Sequence, residues 1–152
     1  MLSKKALYAV RALVVLARVE PEARTTMAVA QAASLPRKFL EAILLDLKRA
    51  GITTSVRGRE GGYRLNRPAS AISLADVIRT IDGPLAMMPC ASVTSYRPCD
   101  DCPDVEACRI RKVFAKGRDA VAEVLEGASI ADLAAPDGAS EGLDAKMEAL
   151  TE

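Results

Sequence analysis

The sequence predicts a mainly α protein with one small β-hairpin, and three observations carry that reading. Half of the 152 residues are hydrophobic, yet the aromatics are only three Tyr and two Phe, so the core must be built from Leu, Ile, Val and Ala, which suit helices better than sandwiches. Apolar positions recur at helical spacing through the first third of the chain and again after Cys108. A single glycine-rich stretch between two β-prone segments interrupts them. A chain of this length holds one compact unit plus an appendage rather than two independent domains.

Ser3 is placed to cap a first helix over residues 4–19, whose Ala6, Val10, Leu13, Val14 and Ala17 share a face, and Pro21 ends it. Thr26 caps a short second helix, Met27 to Ala33. Ser34-Leu35-Pro36 then makes a tight break, because proline is tolerated only at the start of the next helix. The third helix runs from Arg37 to Ala50 with Phe39, Leu40, Ile43, Leu44 and Leu47 as its apolar stripe and Gly51 as its left-handed stop. Ile52 to Arg57 and Tyr63 to Leu65 flank Gly58-Arg59-Glu60-Gly61-Gly62, a hairpin with a glycine-rich tip. Ser73-Leu74-Ala75-Asp76 resembles a capping box and opens a helix that closes at Gly83.

Residues 84–103 read as loop. Beyond Cys108, Ile110, Val113, Phe114, Gly117, Val121, Val124 and Leu125 keep helical spacing to Gly127, and small Gly117 and Ala120 leave room for another helix. Ser129 to Leu133 echoes the start at Ser73, as a shared helix-start device rather than a repeat. After Pro136 the tail is rich in Ala, Gly, Ser and acidic residues and reads as mobile.

Two short helices, a longer helix and a hairpin make a winged helix-turn-helix. The expected division is a winged unit over residues 1–83, a cysteine-rich loop over 84–108, a long helix with a short follower over 109–134, and a tail over 135–152. The long helix lacks an obvious partner in its own chain. A homodimer supplies one and fits two-fold symmetric operators; the alternative is a core helix folded back on the first three.

The net charge of +1 hides an asymmetry: residues 1–67 hold 13 Lys/Arg against 5 Asp/Glu, and residues 68–152 hold 8 against 15. That split points to a polyanion-binding front half. A helix in the major groove reads bases from its N-terminal turns, where Arg37, Lys38, Phe39 and Glu41 lie. Arg or Lys can donate to guanine and Glu41 can accept from the cytosine amino group, although simple helix-start electrostatics explains Glu41 equally well. Arg57 and Arg59 flank the bend of the wing, and Tyr63 completes the candidate set. Lys4 and Lys5, with Arg64 and Arg67, are better suited to phosphates than to bases.

The longest apolar run, Ala12 to Ala17, is far short of the roughly 20 residues of a membrane span, and no charged-then-apolar leader opens the sequence. A soluble cytoplasmic protein is therefore expected. In a reducing compartment, four cysteines gathered in one short segment are metal ligands or redox sensors more often than a disulfide framework. Cys90, Cys99, Cys102 and Cys108 give C-x8-C-x2-C-x5-C, and the chain has no histidine. Four thiolates meet the ligand demand of a two-iron or four-iron iron–sulfur cluster. Zinc more often takes two short C-x2–4-C pairs, and only Cys99 and Cys102 make one. A metal-free thiol switch needs a low-pKa cysteine, which Asp100, Asp101, Asp104 and Glu106 oppose.

The segment KALYAVRAL from Lys5, Phe39-Leu40-Glu41, the wing SVRGREGGY from Ser55, and a cysteine loop before a long helix resemble the Rrf2 family of regulators, the IscR/NsrR/RirA type. The likeness spans residues 1 to about 134 and is most specific in the wing. It implies a dimer crossed through the long helix, with a cluster near the partner's DNA-binding unit, controlling genes of iron–sulfur assembly, iron, nitric-oxide, redox or sulfur metabolism. Glu41 and Arg57 match positions that discriminate operators; Cys102 and Cys108 match the last two cluster cysteines, and Cys90 the first. The family often takes a fourth ligand from a histidine three residues past the last cysteine or an acid on the first helix. Here those positions hold Arg111 and Leu7, and Cys99 is additional, so an all-cysteine cluster is expected.

The resulting expectation is a DNA-binding regulator, acting as a repressor on a pseudo-palindromic operator and sensing iron, redox or nitrosative state. The alternatives are a metal-free thiol or partner-binding regulator of the same fold, and a small iron–sulfur redox protein. No nucleophile–base constellation or nucleotide-binding glycine loop marks an enzyme.

Overall fold

In the computed structural model, which describes residues 2–58, 61–100, 102 and 104–136, four helices begin where a side chain caps them. The Ser3 hydroxyl accepts from the Ala6 amide at 3.0 Å and opens α1, Lys4–Ala17. This helix stops short of residue 19 because the Val19 and Glu20 amides turn to the Leu16 and Ala17 carbonyls, three residues back, and tighten the chain. Helix α2 spans Thr26–Ala33, and its cap is Thr25 rather than the expected Thr26. The two threonines look alike in sequence; the cap falls to the extended residue, whose hydroxyl accepts from Ala28 at 3.2 Å.

Between α2 and α3 the chain reverses on Ser34, a left-handed residue with φ 53°, and the Leu35 amide closes on the Ala30 carbonyl at 2.9 Å. Helix α3, Arg37–Arg49, has only Pro36 at its cap position and no side-chain cap. Packing holds it instead. Leu40, Ile43, Leu44 and Leu47 are buried, each contributing about 1.5–3 kcal/mol against roughly 1 kcal/mol for a missing cap. Phe39, expected within that stripe, lies at its outer edge and is 65% exposed. Gly51, with φ 73°, ends the helix and lets the Ile52 amide reach Leu47.

Strand β1, Thr53–Val56, pairs antiparallel with β2, Gly62–Leu65, in a register that sets Thr53 opposite Leu65 and Val56 opposite Gly62. The hairpin base is also tied to the chain ahead of α2. Arg24 and Tyr63 exchange both backbone hydrogen bonds, each 2.8 Å. Gly62 is obligatory there, since its φ is 148° and a Cβ would collide with the Arg24 carbonyl.

Ser73 and Ser129 each build a capping box with the aspartate three residues on, opening α4, Leu74–Ile81, and α6, Ile130–Ala134. Their echo in sequence has a spatial meaning. The two helix starts lie side by side, Leu74 donating to the Ala128 carbonyl and Ile130 to that of Ile72, both at 2.8 Å. Helix α6 packs on α1, and fully buried Ile130 joins the core formed by Leu13, Leu16, Leu40, Ile43, Leu44 and Leu47.

Helix α5, Arg109–Gly127, touches α4 and a single 3-10 turn, Pro89–Ala91, within the otherwise irregular cysteine segment. None of its side chains is fully buried, and Ile110, Val113 and Val121 are 61%, 69% and 43% exposed. Gly117, expected to admit another helix, is instead covered by the loop: a Cβ there would meet the Met87 methyl at 3.3 Å. The tail beyond residue 136 lies outside the described residues.

Candidate nucleic-acid interface and thiol site

The outer face of α3 carries Arg37, Lys38, Phe39 and Glu41, all exposed. Arg37 and Glu41 form an i,i+4 ion pair at 2.9 Å, so the proposed guanine donor and cytosine acceptor neutralise one another in the free protein. Because proline cannot cap through its side chain and the Pro36 carbonyl takes the Phe39 and Leu40 amides, the Arg37 and Lys38 amides are left for solvent or a phosphate. Lys48 donates to the Ser55 hydroxyl at 2.7 Å and fixes the wing to the end of α3.

Lys4, Lys38, Arg57 and Arg64 are exposed and form no ion pair among the described residues. Lys5, by contrast, is held by Asp46 at 2.7 Å, and Arg67 by Asp76 at 2.9 Å. The Lys5 ammonium holds the Asp46 carboxyl below the usual carboxylate range. Tyr63 packs its half-buried ring against the core while its backbone anchors the wing. Arg59 falls outside the described residues.

Across the molecule, Cys90 is buried in the Pro89–Ala91 turn while Cys99, Cys102 and Cys108 are half-buried. The thiols influence one another in two pairs, Cys90 with Cys99 and Cys102 with Cys108. Contact with Cys90 and loss of solvent push the Cys99 thiol up to about 11. Contact with Cys108 likewise raises Cys102. Cys108 moves the other way, because the Arg111 amide chiefly, helped by that of Ile110, favours its thiolate; the sulfur lies in the field of these amides without completing a capping hydrogen bond. Cys99 also feels Cys102 and Cys108, and Cys102 feels Cys90, so the four sulfurs lie within Coulombic reach.

The acidic residues of this loop do not govern the thiols as the sequence suggests. The Asp104 carboxylate accepts from the Glu106 and Ala107 amides at 2.9 and 3.0 Å and is spent on its own turn; Asp101 lies outside the described residues. Among the described residues no three or more Cys, Asp or Glu donors are gathered into one tight shell. Four thiolates are a donor set that an iron–sulfur cluster or a zinc ion could take.

Residues 2–136 match the model of the Rrf2 family, described as iron-dependent transcriptional regulators. The chain belongs to this family. The Rrf2 chain is 48% identical over 120 residues to a Rhodobacter capsulatus protein named as an rrf2-like HTH-type transcriptional regulator, covering 76% of this chain and 80% of the relative. Among solved structures it is similar to CymR, the global cysteine regulator of B. subtilis, with a TM-score of 0.70 and 29% identity over 88% of this chain and 95% of that one. It is also similar to IscR of T. potens, with a TM-score of 0.67 and 26% identity over 88% and 85% of the two chains. Rrf2 proteins are DNA-binding transcriptional regulators rather than enzymes, and these neighbours carry the winged helix expected from the sequence. No helix among the described residues is long and apolar enough to cross a membrane.

Sequence reasoning missed three contacts of the Rrf2 chain that the fold creates. Arg111 Nε donates to the Cys90 carbonyl at 3.0 Å, Arg118 donates to the Ala91 carbonyl, and Asp46 neutralises Lys5. The first two join a side chain to a backbone oxygen, which leaves no trace in residue spacing.

Proposed function

We propose that this Rrf2 regulator binds a pseudo-palindromic operator as a homodimer and reports iron, redox or nitrosative state through an iron–sulfur cluster held by Cys90, Cys99, Cys102 and Cys108. In this reading residues 1–83 form the DNA-binding unit, 84–108 the sensing loop, 109–134 the dimerisation segment and 135–152 a tail. Arg37, Lys38, Phe39 and Glu41 read the major groove; Arg57 and Arg59, with Lys4 and Lys5, grip flanking phosphate or minor groove; Tyr63 holds the wing at the angle those contacts need. Dimerisation is supported by the exposed Ile110, Val113 and Val121 along α5.

The observation that carries the proposal is that one segment, resting on α5 through its Pro89–Ala91 turn, carries all four thiols. Cys90, Cys99, Cys102 and Cys108 would hold a two-iron or four-iron cluster, which takes four protein ligands. When bound, such a unit supplies a one-electron centre that oxidants and nitric oxide can alter. The chain's own part is mechanical. The cysteine turn rests on α5, α5 on α4, and α4 on α3, so a change in how the four sulfurs are held tilts α5 and biases the pose of the reading helix.

The test is anaerobic purification followed by iron and sulfide analysis with Mössbauer and visible spectra. Iron and acid-labile sulfide in equal amounts, lost when Cys90, Cys102 or Cys108 is changed to Ser and diminished in C99S, support the reading. Protein with no iron, no sulfide and no visible absorption overturns it. A second reading has its own observation: Cys108, with its thiolate favoured, lies beside Cys102, the arrangement from which a metal-free disulfide switch would start, a peroxide taking the two electrons and both thiol protons and leaving as water.

A further inference from the structure

Two arginines on one face of α5, seven residues and so about two turns apart, hold consecutive carbonyls of the turn that carries the first cysteine. Arg111 Nε donates to the Cys90 carbonyl at 3.0 Å, and Arg118 to that of Ala91. The Arg111 side chain is 30% exposed and its other contact is a looser pairing with Glu106 at 3.7 Å. The same guanidinium lies close enough to Cys108 for its charge to act there. One side chain therefore links the residue bearing the first thiol to the helix start bearing the last. Among the described residues of the loop no other side chain makes this link.

We propose that Arg111 is a positioning residue: it holds the Cys90/Cys99 pair at a set distance from the Cys102/Cys108 pair, so that one inorganic centre can span both. The inference rests on the cluster reading above and deepens it. Cys90 is the buried cysteine of the four, so its place is set by its backbone, and a planar guanidinium that gives Nε to that backbone while turning Nη1 toward Glu106 orients it in a way that a single ammonium does not. The Arg111 charge has a second effect, offsetting the negative charge of four thiolates and favouring a reduced centre.

The two effects separate in R111K and R111A. In reduced, metal-free protein, crosslinking by dibromobimane between Cys90 and Cys108, read by peptide mass, reports the distance between pairs; crosslinking between Cys102 and Cys108 serves as a control for folding. Both variants are expected to lose cross-pair product by about tenfold, the effect of losing one charge-assisted hydrogen bond, with the control unchanged. After reconstitution with ferrous iron and sulfide, both should lose iron to a chelator faster, and only R111A, which lacks the charge, should show a more negative reduction potential. Cross-pair crosslinking at the wild-type rate in R111K or R111A overturns the proposal. If R111A does not fold, R111K decides alone. If wild-type protein takes up no iron or sulfide, the cluster reading fails, and the crosslinking arm still decides whether Arg111 sets the distance.

Discussion

Changing Gly62 to Ala tests how the wing is aimed. The position has φ 148°, and a Cβ there would collide with the Arg24 carbonyl and press on the Thr25 amide, both backbone groups that cannot rotate away. Holding a non-glycine residue in such a conformation costs about 1–3 kcal/mol. The alternative is release of the wing, which gives up the two 2.8 Å bonds between Arg24 and Tyr63, worth roughly 0.5–1.5 kcal/mol each. Either route loses about 1–3 kcal/mol, less than the ordinary stability of a domain, so G62A should fold with a melting temperature lower by roughly 2–12 °C. A freed wing also carries Arg57 away from the groove, and DNA affinity should fall by about tenfold or more. Thermal unfolding, amide exchange at Tyr63 and fluorescence anisotropy with DNA read the three effects. An unchanged melting temperature with Tyr63 still protected from exchange refutes the reasoning.

Three further outcomes are expected. In D46N the bond to Lys5 weakens, and since this pair is partly exposed the loss at neutral pH should stay below about 1 kcal/mol. The lowered carboxyl pKa means that the wild-type advantage is present above the ordinary carboxylate range and disappears as pH falls through the folded-state value; denaturant melts of both proteins across acid pH check this, and a difference that grows toward low pH contradicts it. In reduced, metal-free protein, iodoacetamide should, among the three half-buried cysteines, modify Cys108 first and Cys99 last, as followed by mass spectrometry, because the helix-start amides favour one thiolate while Cys90 holds the other thiol near 11; the reverse order counts against the thiol pairing. Ile130→Ala empties a fully buried site where α6 returns to α1 and should cost about 2–5 kcal/mol in denaturant unfolding; a loss below about 1 kcal/mol, as for a surface site, means that α6 is not part of the core.

The elements that local chemistry determines were legible in the residues. The i, i+3, i+4, i+7 spacing of Leu40, Ile43, Leu44 and Leu47 marks the buried face of α3, Gly51 marks its end, and Ser73 with Asp76 marks the start of α4. What was illegible depends on partners far along the chain. The Arg24–Tyr63 bridge uses backbone groups that every residue has, so nothing in sequence announces it. Ser129 signals a helix start but not its destination beside Ser73 and against α1. At the thiol site the spacing of cysteines identified the donors, while their electrostatics came from the fold: the Arg111 amide chiefly outweighs burial at Cys108, and the neighbouring thiols raise Cys99 and Cys102. Lys5 was grouped with the phosphate contacts by its position on a basic helix start, and only the packing of α1 on α3 reveals its pairing with Asp46.

The central claim is that the state of the four sulfurs changes the grip on DNA. Its most direct measurement is the affinity of one anaerobic preparation, cluster-loaded and then stripped, for a DNA fragment selected by the protein from genomic DNA at fixed salt. A difference of about 100-fold between the two forms is expected, equivalent to roughly 2.7 kcal/mol of bias between poses of the reading helix. Equal affinity of the loaded and stripped forms would contradict it.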